Sequence, residues 1–389
     1  MEKIVIIGAN SFQNPLIEKV KEMGYEAHVF AWQDGSIGER TADMFYPISI
    51  IEKEQILEKC KEIQPKAVLT IASDLASVTS NYVAGKLGLS ANSMECVERS
   101  TNKYAMRACF KEHGIPVPSF AKVTEQNCIE LTKNFTYPLI VKPTDRSGSR
   151  SITKIEKNAT SDSSVLKKAV ARAVADSFEN CAIVEEYIDG DEFSFESITS
   201  HGRHYMLAVT RKDTTGSPYF IETGHIEPSG LSRDKIDEVR DLVFQALDAL
   251  GVQTGASHAE FRVNEQGRIG IIEIGARMGG DCIGSDLVCI STGYDFTRMV
   301  VEVGLGLEPS FEKVQEPAIA MIRFIMNQKD LDTYHWVQEH YQDCITFTSE
   351  IEMPGNHPVI DSSTRYGYYI LSLNEEKEVE EIINYAKRT

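Results

Sequence analysis

The sequence predicts a multidomain protein that begins with a parallel α/β sheet, continues through two α+β lobes and ends in a small α+β cap. Length is the first observation behind this, since 389 residues exceed what one core organises and suit several compact units. The second is the alternation of KIVIIG (3–8), a helical stretch from Phe12 to Met23, EAHVF (26–30), a helix near 52–62 and AVLTI (67–71), which reads as βα units feeding a parallel sheet. The third is the run of period-two strands between Glu192 and Ala276, which reads as an antiparallel sheet.

Each further element follows from its local signals. A helix near 76–87 completes the first unit, and a second around 102–113 is closed by Gly114 and Pro116. SFAKV (119–123) and PLIVKP (138–143) are strands separated from the next element by the loop DRSGSR (145–150). A strand from Ser151, an amphipathic helix near 162–175 and the strand AIVEEYI (182–188) complete one α+β layer. EFSFESITS, RHYMLAVTRK and PYFIETGHIEP follow as antiparallel strands, then a helix near 231–249. GASHAEFRV and RIGIIEIGA form a hairpin across Asn264 to Gly267. From about residue 310 onward the pattern is that of the smaller cap, ending in a helix near 375–387.

Composition narrows the function. With 58 acidic against 40 basic side chains the net charge is −18, which repels polyanions and makes nucleic acid an unsuitable partner. No 18-residue apolar run occurs, so a membrane span is not expected. MEKIVIIGAN enters a strand directly, without the features of a secretory signal, and a cytoplasmic location is the expectation. The eight cysteines are scattered with no C-x-x-C, so they read as reduced, small apolar residues. The strand ending in Gly8 lacks a following G-x-G-x-x-G, which argues against a dinucleotide-binding domain. Walker A, G-x-S-x-G and H-E-x-x-H sequences are also absent.

The chemistry is concentrated in the predicted hairpin. Glu260 and Glu273 fall opposite each other, with His258 and Arg262 on the same face by alternation. Two facing carboxylates repel unless a cation lies between them, and magnesium suits such hard oxygen donors. HAEFRV alone also fits a solvated strand face of alternating charge. EIGARMGGD then places Arg277 four residues beyond Glu273, followed by a glycine pair, as a clamp on a transferring phosphoryl group requires. Lys142 closes the apolar run PLIVKP, where a fixed positive charge suits an anionic ligand, and Lys103 starts a helix. Ser147, Gly148 and Ser149 form the centre of a loop whose N–H groups can fold over phosphates, although serine and glycine also build ordinary loops. Glu185 and Glu192 lie on either side of the turn at Asp189-Gly190, and a carboxylate in the second position can accept both ribose hydroxyls.

Taken in order, Lys103, V-K-P at 141–143, the Gly/Ser loop, E-E-Y-I-D-G-D-E, H-A-E-F and E-I-G-A-R-M-G-G-D resemble the ATP-grasp carboxylate–amine ligases. The resemblance is strongest to the branch of bacterial L-amino acid ligases, relatives of the ATP-binding halves of biotin carboxylase and carbamoyl phosphate synthetase. It implies an N-terminal Rossmann-like domain over 1–98, a small ATP-grasp lobe over 99–190, a large lobe over 191–310 and the cap over 311–389. It further implies that Lys103, Lys142 and the loop Ser147-Gly148-Ser149 contact ATP phosphates. Glu185, Glu186, Tyr187 and Ile188 form the hinge beside adenine, and Glu192 binds ribose. Glu260 and Glu273 hold magnesium, for which manganese is the substitute, and Glu273 and Arg277 are catalytic; His258 joins this catalytic set not from the resemblance but because alternation puts it on the Glu260 face. The expected substrates are a small-molecule carboxylate and an amine, and family relatives often pair as homodimers.

Two departures from the family pattern stand out. Gly275 occupies the place where asparagine is most frequent, two residues past the second metal carboxylate, and Ser151 stands where glycine is common. His258 is open to a structural reading as well as to substrate contact. His201 and His204 are expected as exposed hairpin residues, whereas Glu222 and His225 fit either an acceptor pocket or an ordinary strand end. Rival readings are a purine-pathway or carboxylase-like enzyme acting on bicarbonate or a ribonucleotide amine, and a nucleotide-binding protein without turnover.

Overall fold

The computed structural model describes residues 1–156, 163–217 and 220–388. Its first unit holds four parallel strands, β1 (Lys3–Ile7), β2 (Glu26–Phe30), β3 (Met44–Tyr46) and β4 (Ala67–Leu69), in the spatial order β3-β2-β1-β4. Around them lie α1 (Asn14–Glu22), α2 (Ile37–Thr41), α3 (Lys53–Ile63) and α4 (Asp74–Lys86). The apolar run of β1 is buried on both faces, as the centre of a parallel sheet demands. Ile4 and Ile6 join one hydrophobic cluster while Val5 and Ile7 join another. Ser73 caps α4 by accepting from the Ala76 N–H, which fixes the helix start beside Asp74.

Two abutting helices follow, α5 (Met94–Thr101) and α6 (Lys103–Glu112). The sequence pattern shows only the second. Asn102 ends α5 and caps α6 by accepting from the Tyr104 and Ala105 N–H groups, so Lys103 is held at the helix start.

The small lobe contains β5 (Phe120–Val123), α7 (Cys128–Leu131), β6 (Leu139–Pro143), β7 (Thr153–Ile155), α8 (Ser163–Asp176) and β8 (Ala182–Glu186). Its antiparallel strands run in the order β5-β8-β6-β7. The expected start of α8 at 162 lies outside the described residues, as do residues 218 and 219 of the expected strand PYFIETGHIEP.

The rest of the chain builds one eight-stranded antiparallel sheet. Its elements are β9 (Asp191–Ser200), β10 (Arg203–Thr214), β11 (Glu222–Glu227), α9 (Arg233–Leu250), β12 (Gly255–Val263), β13 (Ile269–Gly275), α10 (Val288–Thr292), α11 (Phe296–Gly304), β14 (Ile319–Ile325), α12 (Gln328–His340), β15 (Ile345–Thr348), β16 (Gly367–Leu373) and α13 (Glu376–Arg388). The order is β13-β12-β9-β10-β11-β14-β16-β15. The strands expected to form a separate cap therefore continue the large sheet, joined through the pairing of Gly224–Glu227 in β11 with Ala320–Arg323 in β14. Among the described residues no helix is long and apolar enough to cross a membrane.

Candidate functional site

The β12–β13 hairpin sets the centre of the site. Asn264 accepts the Gln266 and Arg268 N–H groups, and Gly267 takes φ 74°, so the turn folds the two strands into register. Glu260 then faces Glu273, with a bulge directly after Glu260. Each carboxylate is matched by a lysine from elsewhere. Lys103 Nζ lies 2.9 Å from Glu273 Oε2 and also donates to the Arg146 carbonyl at 2.8 Å. Lys212, near the end of β10, donates to Glu260 Oε1 and lies 3.4 Å from Glu192 and 3.6 Å from Glu222.

Burial and charge compete at each of these groups. Burial raises the Glu260 pKa, but Lys212 and His258 more than offset it and hold the carboxyl well below its usual range. Burial disfavours charge on Lys103 and Lys212, and the surrounding carboxylates reverse this, raising both. Lys142 is different. Burial lowers it, and the attraction of Glu185 is opposed by Arg107 and Lys103, so the net shift is downward.

Glu185 joins Arg107 of α6 to Lys142 of β6. Its Oε1 lies 2.6 Å from Lys142 Nζ, and its Oε2 accepts from Arg107 Nε at 2.5 Å. Burial raises its pKa, yet the two cations prevail and bring it down to about 2. Arg107 also donates to the Ile271 and Ile272 carbonyls at 2.9 and 2.8 Å, which ties α6 to the strand carrying Glu273.

Beyond β8, Tyr187 lies between two cations, Lys154 Nζ at 4.1 Å and the Arg262 guanidinium at 4.9 Å from its ring centre. Arg262 donates to Glu192 at 2.8 Å and to the Ile188 carbonyl at 2.9 Å. The loop opposite takes left-handed backbone at Gly148 (φ 73°), Ser149 (φ 57°) and Ser151 (φ 52°). Ser151 thus adopts the conformation that glycine favours, at the position where the family pattern departs. Ser149 Oγ donates to the Phe220 carbonyl at 3.1 Å, fastening this loop across the cleft.

One cleft gathers nearly all the residues singled out from the sequence: Lys103, Lys142, Ser147, Gly148, Ser149, Glu185, Glu186, Tyr187, Ile188, Glu192, Glu260, Glu273 and Arg277. His258 does not line it. It borders an adjoining chamber that shares Glu222, Glu260 and Arg277 with the cleft and adds Lys212, His225, Asp281 and Arg365. His258 Nδ1 lies 2.5 Å from Glu196 and Nε2 lies 3.4 Å from Glu260. Burial lowers its pKa, but the two carboxylates outweigh this and push it up to about 9.

Arg277, while lining the cleft, also reaches the N-terminal unit. Its Nε donates to Asp74 of α4 at 2.6 Å. A Cβ on Gly275 would stand 3.3 Å from the Arg277 guanidinium carbon and 3.4 Å from Asp74, so a larger residue there presses on this pair. Glu222 accepts from Ser362 Oγ at 2.7 Å, and the buried His225 lies 3.6 Å from Asp281, which Arg365 holds through both carboxylate oxygens. His204 corrects the expectation of an exposed hairpin residue. Its side chain is 5% exposed, held by Thr199 and Asp248 at 2.8 and 3.1 Å.

Sequence reasoning missed Arg107, Lys212, Asp74 and Glu196. Arg107 follows Lys103 by one helical turn, and Lys212 lies three residues beyond the apolar run MLAV (206–209) of β10, so both carried a signal. Among the described residues no group of three or more His, Cys, Asp or Glu side chains forms a ready metal cage. The donor set here is the carboxylate pair Glu260 and Glu273, which fits magnesium because that ion completes its octahedron from water and phosphate oxygens.

Residues 135–286 match the family model described as the ATP-grasp domain. Among curated proteins the chain is 26% identical over 268 residues to alanine--anticapsin ligase of Bacillus subtilis, covering 61% of this chain and 56% of that protein. It is 21% identical over 309 residues to the carbamoyl phosphate synthase large chain of Thermotoga neapolitana, covering 75% and 27% respectively. The chain spans about half the length of the alanine--anticapsin ligases it matches. In fold it is similar to L-amino acid ligase from Bacillus licheniformis, with TM-score 0.82, 22% identity and coverage of 100% and 97%. It is likewise similar to phosphoribosylglycinamide synthetase from Anaerococcus prevotii, with TM-score 0.75, 20% identity and coverage of 99% and 98%.

Proposed function

We propose that the protein, whose residues 135–286 match the ATP-grasp domain, is an ATP-dependent carboxylate–amine ligase that forms an amide through an acyl phosphate and releases ADP and phosphate. The observation that carries this reading is the facing pair Glu260 and Glu273, each matched by a lysine, with Arg277 lining the same cleft. A site meant only to hold a nucleotide has no need of this concentration of charge around a transferring group.

In this reading Lys103, Lys142 and the loop Ser147-Gly148-Ser149 bind the phosphates, residues 185–188 bound the adenine, and Glu192 reaches the ribose. Glu260 and Glu273 would hold magnesium, which supplies positive charge to the phosphate oxygens. The carboxylate of the first substrate attacks the γ-phosphorus, and the bond to the bridging oxygen breaks to leave ADP. The amine of the second substrate then attacks the acyl carbon, loses a proton, and phosphate departs. Arg277 steadies the negative charge on oxygen at both stages, and no protein nucleophile is required.

We further propose an amino acid as the carboxylate donor, with a second amino acid or another small amine as acceptor. Support comes from the likeness to the alanine--anticapsin and L-amino acid ligases. A panel of amino acids, singly and in pairs, with phosphate release and mass spectrometric product detection tests it, and hydroxylamine should trap the acyl phosphate as a hydroxamate. AMP and pyrophosphate as products would overturn the mechanism. Turnover with bicarbonate or a ribosylamine, but with no amino acid, would instead move the enzyme to that substrate class.

A further inference from the structure

Glu196 is a carboxylate with no exposed surface, placed in β9 directly beside His258 of β12. Removing a carboxylate from water is expensive unless its contacts compensate for lost hydration. Here Oε1 engages His258 Nδ1 at 2.5 Å, while Oε2 has no hydrogen-bond partner. The pair is also covered closely. A Cβ on Gly279 would stand 2.7 Å from His258 Nδ1 and 3.1 Å from Glu196 Oε2, so Gly279 rests on the imidazole and its carboxylate.

With Nδ1 fixed on one side, the ring presents Nε2 to Glu260 Oε1 at 3.4 Å on the other. Lys212 donates to the same oxygen, Oε1. Both protein partners thus converge on one oxygen of Glu260 and leave Oε2 for a further ligand. Partners behind a metal ligand set its orientation and thereby its affinity.

We propose that Glu196 and His258 are positioning residues that hold Glu260 by Oε1 so that its other oxygen meets a divalent cation. This rests on the reading of Glu260 as a cation ligand. It assigns His258 a place behind the ligand, and it gives the buried Glu196 a task that packing alone does not.

The test is direct binding of Mn²⁺, followed by electron paramagnetic resonance in the presence of ADP. Glu196→Leu, which removes the acceptor, should weaken Mn²⁺ binding about tenfold or more, whereas Glu196→Gln keeps an acceptor in the same place and should recover most of the affinity. His258→Asn should match Glu196→Leu, and it carries the test if the leucine variant does not fold. Wild-type Mn²⁺ affinity in His258→Asn or Glu196→Leu would overturn the inference, as would equal losses in the Gln and Leu variants. Glu260→Gln separates the two levels. If it loses Mn²⁺ while the Glu196 and His258 variants retain it, the positioning role alone falls; if it binds Mn²⁺ normally, the reading of Glu260 falls and the inference with it.

Discussion

Arg277 and Asp74 are 203 positions apart in sequence and meet at 2.6 Å, so the loop after β13 is tied to the first turn of α4 in the N-terminal unit. Burial raises the Asp74 pKa, but Arg277 overcomes this and holds it ionised. Arg277→Ala should lower kcat by roughly 10²-fold or more, as loss of a transition-state charge contact does. Asp74→Asn keeps the shape but loses the charge that aims the guanidinium, and since a charged hydrogen bond is worth about 1.5–3 kcal/mol, a loss of about tenfold is expected. Steady-state phosphate release measures both, and a wild-type rate in Arg277→Ala would remove that residue from the chemistry.

Glu273→Gln preserves volume and leaves the cross-strand pairing with Glu260 unaltered, so the fold should survive. Turnover should fall by roughly 10²-fold or more, because the substitution removes charge at the end of the site proposed to take the phosphates. Near-normal rates in saturating magnesium would exclude Glu273 as a ligand.

Lys142→Ala should weaken ATP binding about tenfold or more, from the loss of one charge-assisted contact. Glu185 keeps Arg107 in this variant, so no carboxylate is left buried alone. Lys86→Ala is the comparison, since Lys86 lies over the Tyr82 ring in the N-terminal unit and should leave affinity unchanged. Titration calorimetry decides, and equal effects would displace the phosphate site.

Glu227 supplies a pH-dependent term in stability. Burial pushes its carboxyl from 4.5 up to about 7, although Ser291 and Thr210 donate to it and act in the opposite direction. Because the folded value lies above the unfolded one, the native state keeps a proton that the unfolded chain has released. Stability therefore falls as pH rises from about 4.5 to about 7, by on the order of 3 kcal/mol. Glu227→Gln holds a neutral group of the same shape, so its gain in Tm over the wild type should be near zero below the lower value and complete above the upper one. Thermal melts across that interval test this, and a gain that does not vary with pH would refute it.

What the sequence reveals depends on whether the deciding contacts are local. The facing of Glu260 and Glu273 is legible because a short turn and a period of two fix the register. The start of α6 at Lys103 is legible from its cap, but α5 is hidden because Asn102 ends one helix and begins the next without a spacer. Asp74 could not be found, since no local pattern specifies a partner in another unit. Glu196 reads as an ordinary polar residue in EFSFESITS until β9 is seen beside His258. The alternation of β14 and β16 identifies strands, yet nothing in it says which sheet they extend.

The seam between β11 and β14 limits how this protein can be divided. A chain cut after residue 310 would leave a five-stranded sheet ending in β11, whose amide and carbonyl groups would lose their neighbours along Gly224–Glu227. A bare edge of that kind templates the addition of another strand, so the shortened protein should clump instead of remaining a smaller working copy. It would also lose Arg365, and with it the guanidinium that grips Asp281 beside Glu222 and His225. Chimeras that exchange the nucleotide-handling lobes between relatives must therefore carry the final strands along with them.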